Sequence, residues 1–236
     1  KEAKRMSIAE NIARVRADIA AAAKEAGRRP EEITLVGASK MNAAAACREA
    51  VAAGIDALGE NRVQEMTAKF QEHAYDGAPL HFIGHLQRNK VKQVVGKASL
   101  IQSAGSLELL EEIEKAAGRL ELVQDILLEV NIGEEEAKSG FLPSMLLSGA
   151  EAALKKDHIR VLGLMAIPPA DAEREENLRY FDKVRALFLD MNGKLFHNSL
   201  QVLSMGMSGD FEDAVRTGAT MVRVGTAIFG SRHYDI

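Results

Sequence analysis

Eight short apolar runs rich in strand-forming residues recur along the chain, with stretches of helical character between them. They occupy residues 33–39, 56–60, 80–85, 100–104, 125–131, 160–167, 201–206 and 221–230. Several runs are apolar on both faces, which is typical of parallel strands buried between two layers. Strands that alternate with helices predict a parallel sheet joined by right-handed crossovers.

The number of repeats distinguishes two ways of building such a sheet. Eight strands, with an extra helix at about 7–26 before the first, predict a single α/β domain of the (β/α)8 (TIM) barrel type. The length of 236 residues is usual for one such barrel, so we expect one domain over residues 1–236. The run at 56–60 is short and the helix at about 89–97 is brief, which leaves a doubly wound sheet as the alternative.

Composition and charge exclude several classes of protein. Apolar residues at 47% and charged residues at 27% are typical of a folded globular protein and argue against disorder. The net charge of −4 gives no reason to expect binding to nucleic acid or to an anionic membrane. The basic segment 88–97 is expected to be a solvated helix face, with a polyanion site as the alternative.

Cysteine usage and the N-terminal sequence bear on the compartment. The single cysteine, Cys47, cannot form an intramolecular disulfide, so a reducing compartment suffices. The first residues lack the pattern of a signal peptide, and no stretch reaches the roughly 18 apolar residues of a membrane span. We therefore expect a soluble cytoplasmic protein.

Polar residues close the apolar runs, and in barrels of this kind the chemistry lies at the C-terminal ends of the strands. A partly desolvated lysine at such a position loses its proton more easily and forms an imine with an aldehyde. Lys40 follows the first apolar run and is a lysine of this kind; the alternative is that its side chain only extends into solvent. His81 and His85 lack a companion ligand, so no metal site is expected. The candidate residues, expected to converge on one face, are Lys40, Asn61, His85, Ser103, Asn131, Ser204 and Arg223.

The loops after the seventh and eighth runs are typical of a phosphate site. After the seventh run, Ser208 or Asp210 is expected to cap a helix, whose free N–H groups favour an anion. After the eighth, Gly225 allows close approach of backbone amides, and Thr226 adds a hydroxyl donor. The alternative is that these glycines only form tight turns.

Arg223 lies on the last run between Val222 and Val224, and a guanidinium on an apolar strand needs a partner. Two partners are open: a carboxylate of the barrel floor, or the ring nitrogen of a bound ligand. An arginine donor would leave a pyridine nitrogen unprotonated and weaken the ring as an electron sink.

Seven ordered motifs resemble one known family over about residues 7–232. They are LVGASK, which ends at Lys40, GENRVQE, HFIGHLQRNK, VNIGEEEAKSG, GLMAIPP, LSMGMSGDFEDAV and MVRVGTAIFGSR. By these the chain resembles the YggS/PROSC family of proteins that bind pyridoxal 5′-phosphate (PLP) and act in PLP homeostasis. Their barrel is related to the N-terminal barrel of alanine racemase. The chain departs from the family pattern after Lys40, where SKMNAA lacks a proline, and at Gln102 and Gly105.

The resemblance implies a cofactor and its contacts, with no catalytic residue. Lys40 would form the Schiff base with PLP, and Arg223 would face the pyridine nitrogen. The phosphate would be held by Ser204, Gly206, Gly225 and Thr226. The ring pocket would be lined by Asn61, His85 and Met165.

The resemblance favours a carrier, without substantial catalysis, that exchanges PLP with apo-enzymes or amines and exists as a monomer or weak dimer. The main alternative is a fold-type III PLP-dependent amino-acid racemase, which needs a second base besides Lys40. In racemases that base is a tyrosine completed by a second domain or subunit, whereas this chain ends at Ile236 and none of its three tyrosines closes a strand. A Schiff-base aldolase, whose phosphate belongs to a sugar, is a third possibility.

Overall fold

Eight parallel strands close into one barrel in chain order in the computed structural model, which describes residues 6–230. The first and last strands pair from Thr34 beside Met221 to Gly37 beside Val224, which closes the sheet. The barrel prediction is confirmed, and the doubly wound alternative is wrong. The strands are β1 (Thr34–Ala38), β2 (Ala57–Glu60), β3 (Leu80–Phe82), β4 (Leu100–Ala104), β5 (Gln124–Val130), β6 (Ile159–Ala166), β7 (Val202–Ser204) and β8 (Met221–Val224).

Helices surround the barrel and follow the strands. None in the described range is long and apolar enough to cross a membrane. The α-helices are α1 (Ile8–Glu25), α2 (Ala44–Ala52), α3 (Val63–Gln71), α4 (Leu107–Arg119), α5 (Leu146–Leu154), α6 (Arg174–Leu195), α7 (Phe211–Thr217) and α8 (Thr226–Phe229). Short 3₁₀ helices lie at Pro30–Glu32, Arg88–Gln93 and Pro143–Met145.

The extra N-terminal helix is confirmed as α1. Ser7 and Glu10 form a reciprocal capping box at its start, which satisfies two backbone donors. Its apolar side packs on the barrel layer through residues such as Val15. The Asn11 side chain donates to the carbonyl of Ile228 at 2.8 Å and so ties α1 to α8.

Three predicted boundaries are wrong. The run 221–230 is not one strand, because Gly225 ends β8 and its carbonyl accepts from the amides of Ile228 and Phe229 in α8. The helix expected at 89–97 is the 3₁₀ helix Arg88–Gln93. Since β3 ends at Phe82, His81 and His85 do not share the face of one strand.

The barrel interior is filled by a compact apolar cluster with a polar layer above it. Alternate residues of a strand point inward, and six of the eight strands each supply one buried side chain to this cluster. The buried members of the apolar cluster are Val36, Ala57, Leu100, Leu127, Met165 and Met221. The larger apolar core lies between the strands and the helices.

Candidate functional site

A cleft opens at the C-terminal ends of β1, β2, β6, β7 and β8. It brings together Lys40, Asn61, Arg223, Gly225 and Thr226, five of the residues expected at the site. The other residues that line the cleft are Ala38, Asn42, Ile83, Ile167, Met207, Ser208, Gly209 and Gly230. The cleft therefore joins the first repeat of the barrel to the last.

Lys40 lies half-buried in the turn after β1, and the turn is held by hydrogen bonds on both sides of it. The amide of Met41 donates to Glu65 Oε1 at 2.5 Å, and the amide of Asn42 donates to the carbonyl of Ser39 at 3.1 Å. The Asn42 side chain donates to the carbonyl of Lys40 at 3.1 Å. Met41 has a left-handed backbone with φ 62°. The backbone of Lys40 is thus fixed where it faces the cleft.

The loops after β7 and β8 direct polar groups toward one point of the cleft. The amides of Gly225 and Ala227 donate to Ser208 Oγ at 3.2 and 3.3 Å. Backbone amides gathered in this way form a site that suits an anion. Asp210 occupies the N-cap position of α7, as one of the two predicted caps, but its side chain accepts from the amide of Met207 at 2.6 Å and leaves the first amides of the helix uncapped.

Arg223 lies at the base of the cleft and is only 3% exposed. Its guanidinium donates to Ser204 Oγ at 2.5 Å and to the carbonyl of Ala166 at 3.1 Å. Both acceptors are uncharged oxygens, so of the two partners that the sequence left open the carboxylate is not the one bonded here. Burial lowers the pKa of Arg223 to about 10, against the pull of Glu129 and Asp210, and leaves it cationic at neutral pH.

A chain of hydrogen bonds continues from Arg223 across the barrel interior. Ser204 Oγ donates to Gln102 Oε1 at 2.7 Å, and the Gln102 amide nitrogen lies 2.9 Å from His81 Nδ1. Burial lowers the pKa of His81 to about 4, so its neutral ring accepts this hydrogen bond. These hydrogen bonds orient the Arg223 guanidinium, and they leave unused the side of the guanidinium that points to the cleft.

Glu129 on β5 was missed by the sequence analysis. Burial raises the pKa of its carboxyl to about 7, although the Arg223 charge acts in the opposite direction. Its Oε1 lies 3.5 Å from the Ser139 hydroxyl, while Oε2 has no hydrogen-bond partner in the described part of the chain. A carboxylate inside the apolar run DILLEVN was the signal that could have identified it.

Four residues expected to contact the ligand lie outside the cleft lining. Ser204 is buried in the network beneath Arg223, and Met165 belongs to the apolar cluster inside the barrel. Gly206 lines an adjoining groove with Ile167 and Arg223. Its φ is 99°, and a Cβ there would lie 2.5 Å from that of Ala214, so the position requires glycine.

A second cavity lies at the ends of β3, β4 and β5. His85 and Ser103, both expected in the convergent site, line this cavity instead. Asn131 holds the loop after β5, since its side chain donates to the carbonyl of Glu135 at 2.8 Å and accepts from the Glu135 amide at 3.1 Å. In residues 6–230 no group of three or more His, Cys, Asp or Glu side chains is placed to hold a metal ion.

Comparison with known proteins identifies the family. The family model for the N-terminal domain of alanine racemase matches residues 8–233. The pyridoxal phosphate homeostasis protein of Aquifex aeolicus is 42% identical over 229 residues, which cover 97% of this chain and 100% of that one. That of Pseudomonas aeruginosa is 42% identical over 230 residues, 97% of each chain. The chain belongs to the pyridoxal phosphate homeostasis protein family.

Solved structures place the family on this fold. PipY of Synechococcus elongatus superposes with a TM-score of 0.85 at 34% identity without PLP, and with 0.83 at 33% identity with PLP bound. Each match covers 95% of this chain and 100% of PipY. An alanine racemase of Clostridium difficile superposes with a TM-score of 0.74 at 16% identity, over 93% of this chain and 60% of the racemase. The racemase likeness shows the fold alone.

Proposed function

We propose that this protein binds PLP in the cleft as a Schiff base on Lys40 and carries it for PLP homeostasis. The observation that supports this most directly is that one cleft holds Lys40, the buried cation of Arg223 and the amides around Gly225. The membership of the family and the PLP-bound PipY structure give independent support. When bound, PLP supplies an aldehyde that amines attack and a ring that stores electrons.

The residues of the cleft fit the three parts of PLP. Lys40 is assigned to the aldehyde, and Gly225, Thr226 and the Ser208 hydroxyl to the phosphate. Arg223 is assigned to the pyridine nitrogen. The Asn61 side-chain oxygen is buried and lacks a hydrogen-bond partner within residues 6–230, so a ligand donor in the cleft would satisfy it.

The remaining residues implied by the family resemblance act indirectly in this proposal. Ser204 holds Arg223, Gly206 allows the turn before the phosphate loop, and Met165 fills the barrel beneath the cleft. His85 lines the neighbouring cavity. Ser204, Gly206 and Met165 thus have structural roles that support the cleft without direct contact to the cofactor.

Transfer without substantial catalysis is the second part of the proposal. An arginine at the ring nitrogen would keep that nitrogen unprotonated, but alanine racemases resemble this too, so Arg223 does not separate a carrier from a racemase. A racemase also needs a second base, and neither described tyrosine lines the cleft. Tyr75 donates to Glu60 in the interior and Tyr180 to Glu176 at the surface. Tyr234 lies outside the described residues. The recipients in this proposal are apo-enzymes or amines, reached in the cytoplasm by a monomer or weak dimer.

The test is an absorbance spectrum of the protein with PLP, followed by borohydride reduction and peptide mass mapping. We expect reduced PLP on Lys40, and we expect Lys40→Ala to abolish covalent PLP while the thermal midpoint stays close to that of the wild type. Lys92→Ala removes an exposed lysine far from the cleft and is the matched control. Covalent PLP that persists in Lys40→Ala would show that another amine carries the cofactor.

A further inference from the structure

A buried charged cluster lies beneath the turn that carries Lys40, outside the cleft lining. It consists of Glu60, Glu65 and Lys69, whose side chains are 0%, 20% and 7% exposed. The Lys69 ammonium lies 2.8 Å from Oε1 of each carboxylate. Burying three charges is costly, and a hydrophobic replacement often serves stability as well or better. The cluster therefore calls for an explanation other than stability.

The cluster reaches the backbone on both sides of Lys40. The Lys69 ammonium donates to the carbonyl of Ser39 at 2.8 Å, directly before the lysine. Glu65 Oε1 accepts from the amide of Met41 at 2.5 Å, directly after it. Because the left-handed conformation of Met41 is unfavourable for a residue with a Cβ, it persists only where such contacts impose it.

Hydrogen bonds and burial act on Glu60 in opposite directions. Glu60 Oε1 accepts from Lys69, from the Tyr75 hydroxyl at 2.9 Å and from the Ser39 hydroxyl at 2.6 Å, whereas Oε2 has no hydrogen-bond partner within residues 6–230. Burial raises the pKa of the Glu60 carboxyl, against the opposing pull of the Lys69 charge. Burial has the largest single effect on the pKa of Lys69 and lowers it, but the Glu60 charge and the hydrogen bonds to Glu60 and Glu65 together more than offset this, so the pKa is raised above its usual value. The ammonium has three donors, and Glu60, Glu65 and Ser39 accept from them.

We propose that Lys69 and Glu65 are positioning residues for Lys40: they clamp the peptide units before and after it and so hold its amine at the cleft. The proposal rests on the proposed function, because it assumes that Lys40 reacts with PLP. Glu60 and Glu65 both belong to the motif GENRVQE. Under this proposal the motif positions Lys40 from the side of the turn opposite the cofactor.

The first test compares Glu65→Ala with Glu65→Gln, because the Glu65 side chain is 20% exposed and we expect the fold to tolerate its loss. The alanine removes the acceptor for the Met41 amide, while glutamine keeps an oxygen there. We expect Glu65→Ala to slow Schiff-base formation from added PLP by about 10- to 100-fold, as misplacement of a reacting group does, and Glu65→Gln to restore most of the rate. Stopped-flow absorbance measures both rates. Gln64→Ala, an exposed change on the same helix, is the control.

A second readout separates positioning from general damage. The affinity for 4′-deoxypyridoxine 5′-phosphate, which has the ring and phosphate but no aldehyde, should stay within about twofold of wild type in both Glu65 variants. A parallel loss of analogue affinity and rate in Glu65→Ala would overturn the proposal, because the cluster would then shape the whole cleft. Equal rates in Glu65→Ala and wild type would also overturn it.

Lys69 is tested in a form that leaves no buried charge unpaired. Lys69→Met alone would strand the Glu60 carboxylate, so the variant is Lys69→Met combined with Glu60→Gln. We expect this pair to fold, to bind the analogue and to form the Schiff base slowly. A rate equal to that of wild type would contradict a role for Lys69. If the wild type itself forms no Schiff base, the proposed function fails instead, so the two failures are distinguishable.

Discussion

Glu129 holds a carboxyl group inside the barrel, where burial raises its pKa from 4.5 to about 7. The folded protein therefore binds this proton more tightly than the unfolded chain does. The resulting stabilisation is complete below about pH 4.5 and is lost as the pH rises through about 7. Above that range the buried carboxylate reduces the free energy of unfolding.

The direction of this pH dependence predicts the stability of Glu129→Gln, a variant that mimics the protonated carboxyl. We expect the variant to exceed the wild type in free energy of unfolding at pH 8, by up to about 3 kcal/mol, and to match it near pH 4. Urea denaturation across this pH range measures the difference. If the difference in free energy of unfolding between Glu129→Gln and the wild type does not change with pH, the pKa of Glu129 is not raised in the folded protein.

Thr226 offers the cleanest test of the phosphate assignment, because its exposed hydroxyl can be removed without changing the shape of the side chain. Hydrogen bonds to a charged group contribute about 1.5–3 kcal/mol, so Thr226→Val should weaken PLP binding by about tenfold or more. Binding of pyridoxal, which lacks the phosphate, should not change. Thr217→Val, in α7 and away from the cleft, is the control for both titrations. Equal losses for the two ligands would remove Thr226 from the phosphate site.

Individual site residues were predictable where a strand end alone decides their position. Lys40, Arg223 and Gly225 follow or close strands, and the C-terminal ends of parallel strands meet at one face. Ser204 was expected at the site from its strand end and Met165 from the resemblance, and both signals give a position on the chain but not the direction of the side chain. Whether Ser204 faces the cleft or Arg223 depends on a hydrogen bond to another strand, and no sequence pattern encodes that choice.

Among the strands and helices, the count of eight and the parallel order were predictable from periodicity, whereas several ends were not. The apolar run at 80–85 continues beyond β3, which stops at Phe82. Gly84 then passes so close to the loop after β2 that a Cβ there would lie 2.1 Å from the carbonyl oxygen of Asn61. Such contacts between backbones turn the chain without any signal in hydrophobicity.

The backbones of β6 and β7 also approach each other closely. One methyl group added between them should therefore cause a large loss of stability. A Cβ on Gly163 would lie 1.7 Å from the carbonyl oxygen of Val202, the residue beside it on β7. We expect Gly163→Ala to destabilise the protein by more than about 3 kcal/mol, because the strands must separate to admit it. Urea denaturation measures the loss.

The matched change is Gly193→Ala in the exposed part of α6, where the nearest heavy atom to a new Cβ is 3.6 Å away. Alanine favours the helix there, so a gain of about 0.5–1 kcal/mol is expected. Similar losses for the two glycine variants would contradict the contact at Val202.

For the molecule as a whole, the barrel closes between β1 and β8, and the cleft lies at this closure. Lys40 comes from the first repeat, while Arg223 and Gly225 come from the last. The described residues supply no tyrosine to the cleft, and racemisation requires a second base besides a lysine.

We therefore expect negligible alanine racemase turnover from the PLP-loaded protein, measured by the exchange of the α-hydrogen with deuterated water. Lys40→Ala supplies the background rate. Turnover at an ordinary enzymatic rate of about 1 to 10³ per second would require a catalytic function in place of the carrier.

The pairing of β1 with β8 also determines when the site forms during synthesis. During translation, β1 and Lys40 are synthesised with the first repeat. The strand that pairs with β1 is β8, which is synthesised only with the eighth repeat. The same repeat supplies Arg223 and the amides of Gly225 and Ala227. A nascent chain that lacks the last repeat has a lysine but no anion loop and no closed barrel. Under the proposed function, PLP loading therefore waits for translation of the eighth repeat, and a chain that stops before it lacks the residues assigned to the phosphate and to the ring nitrogen.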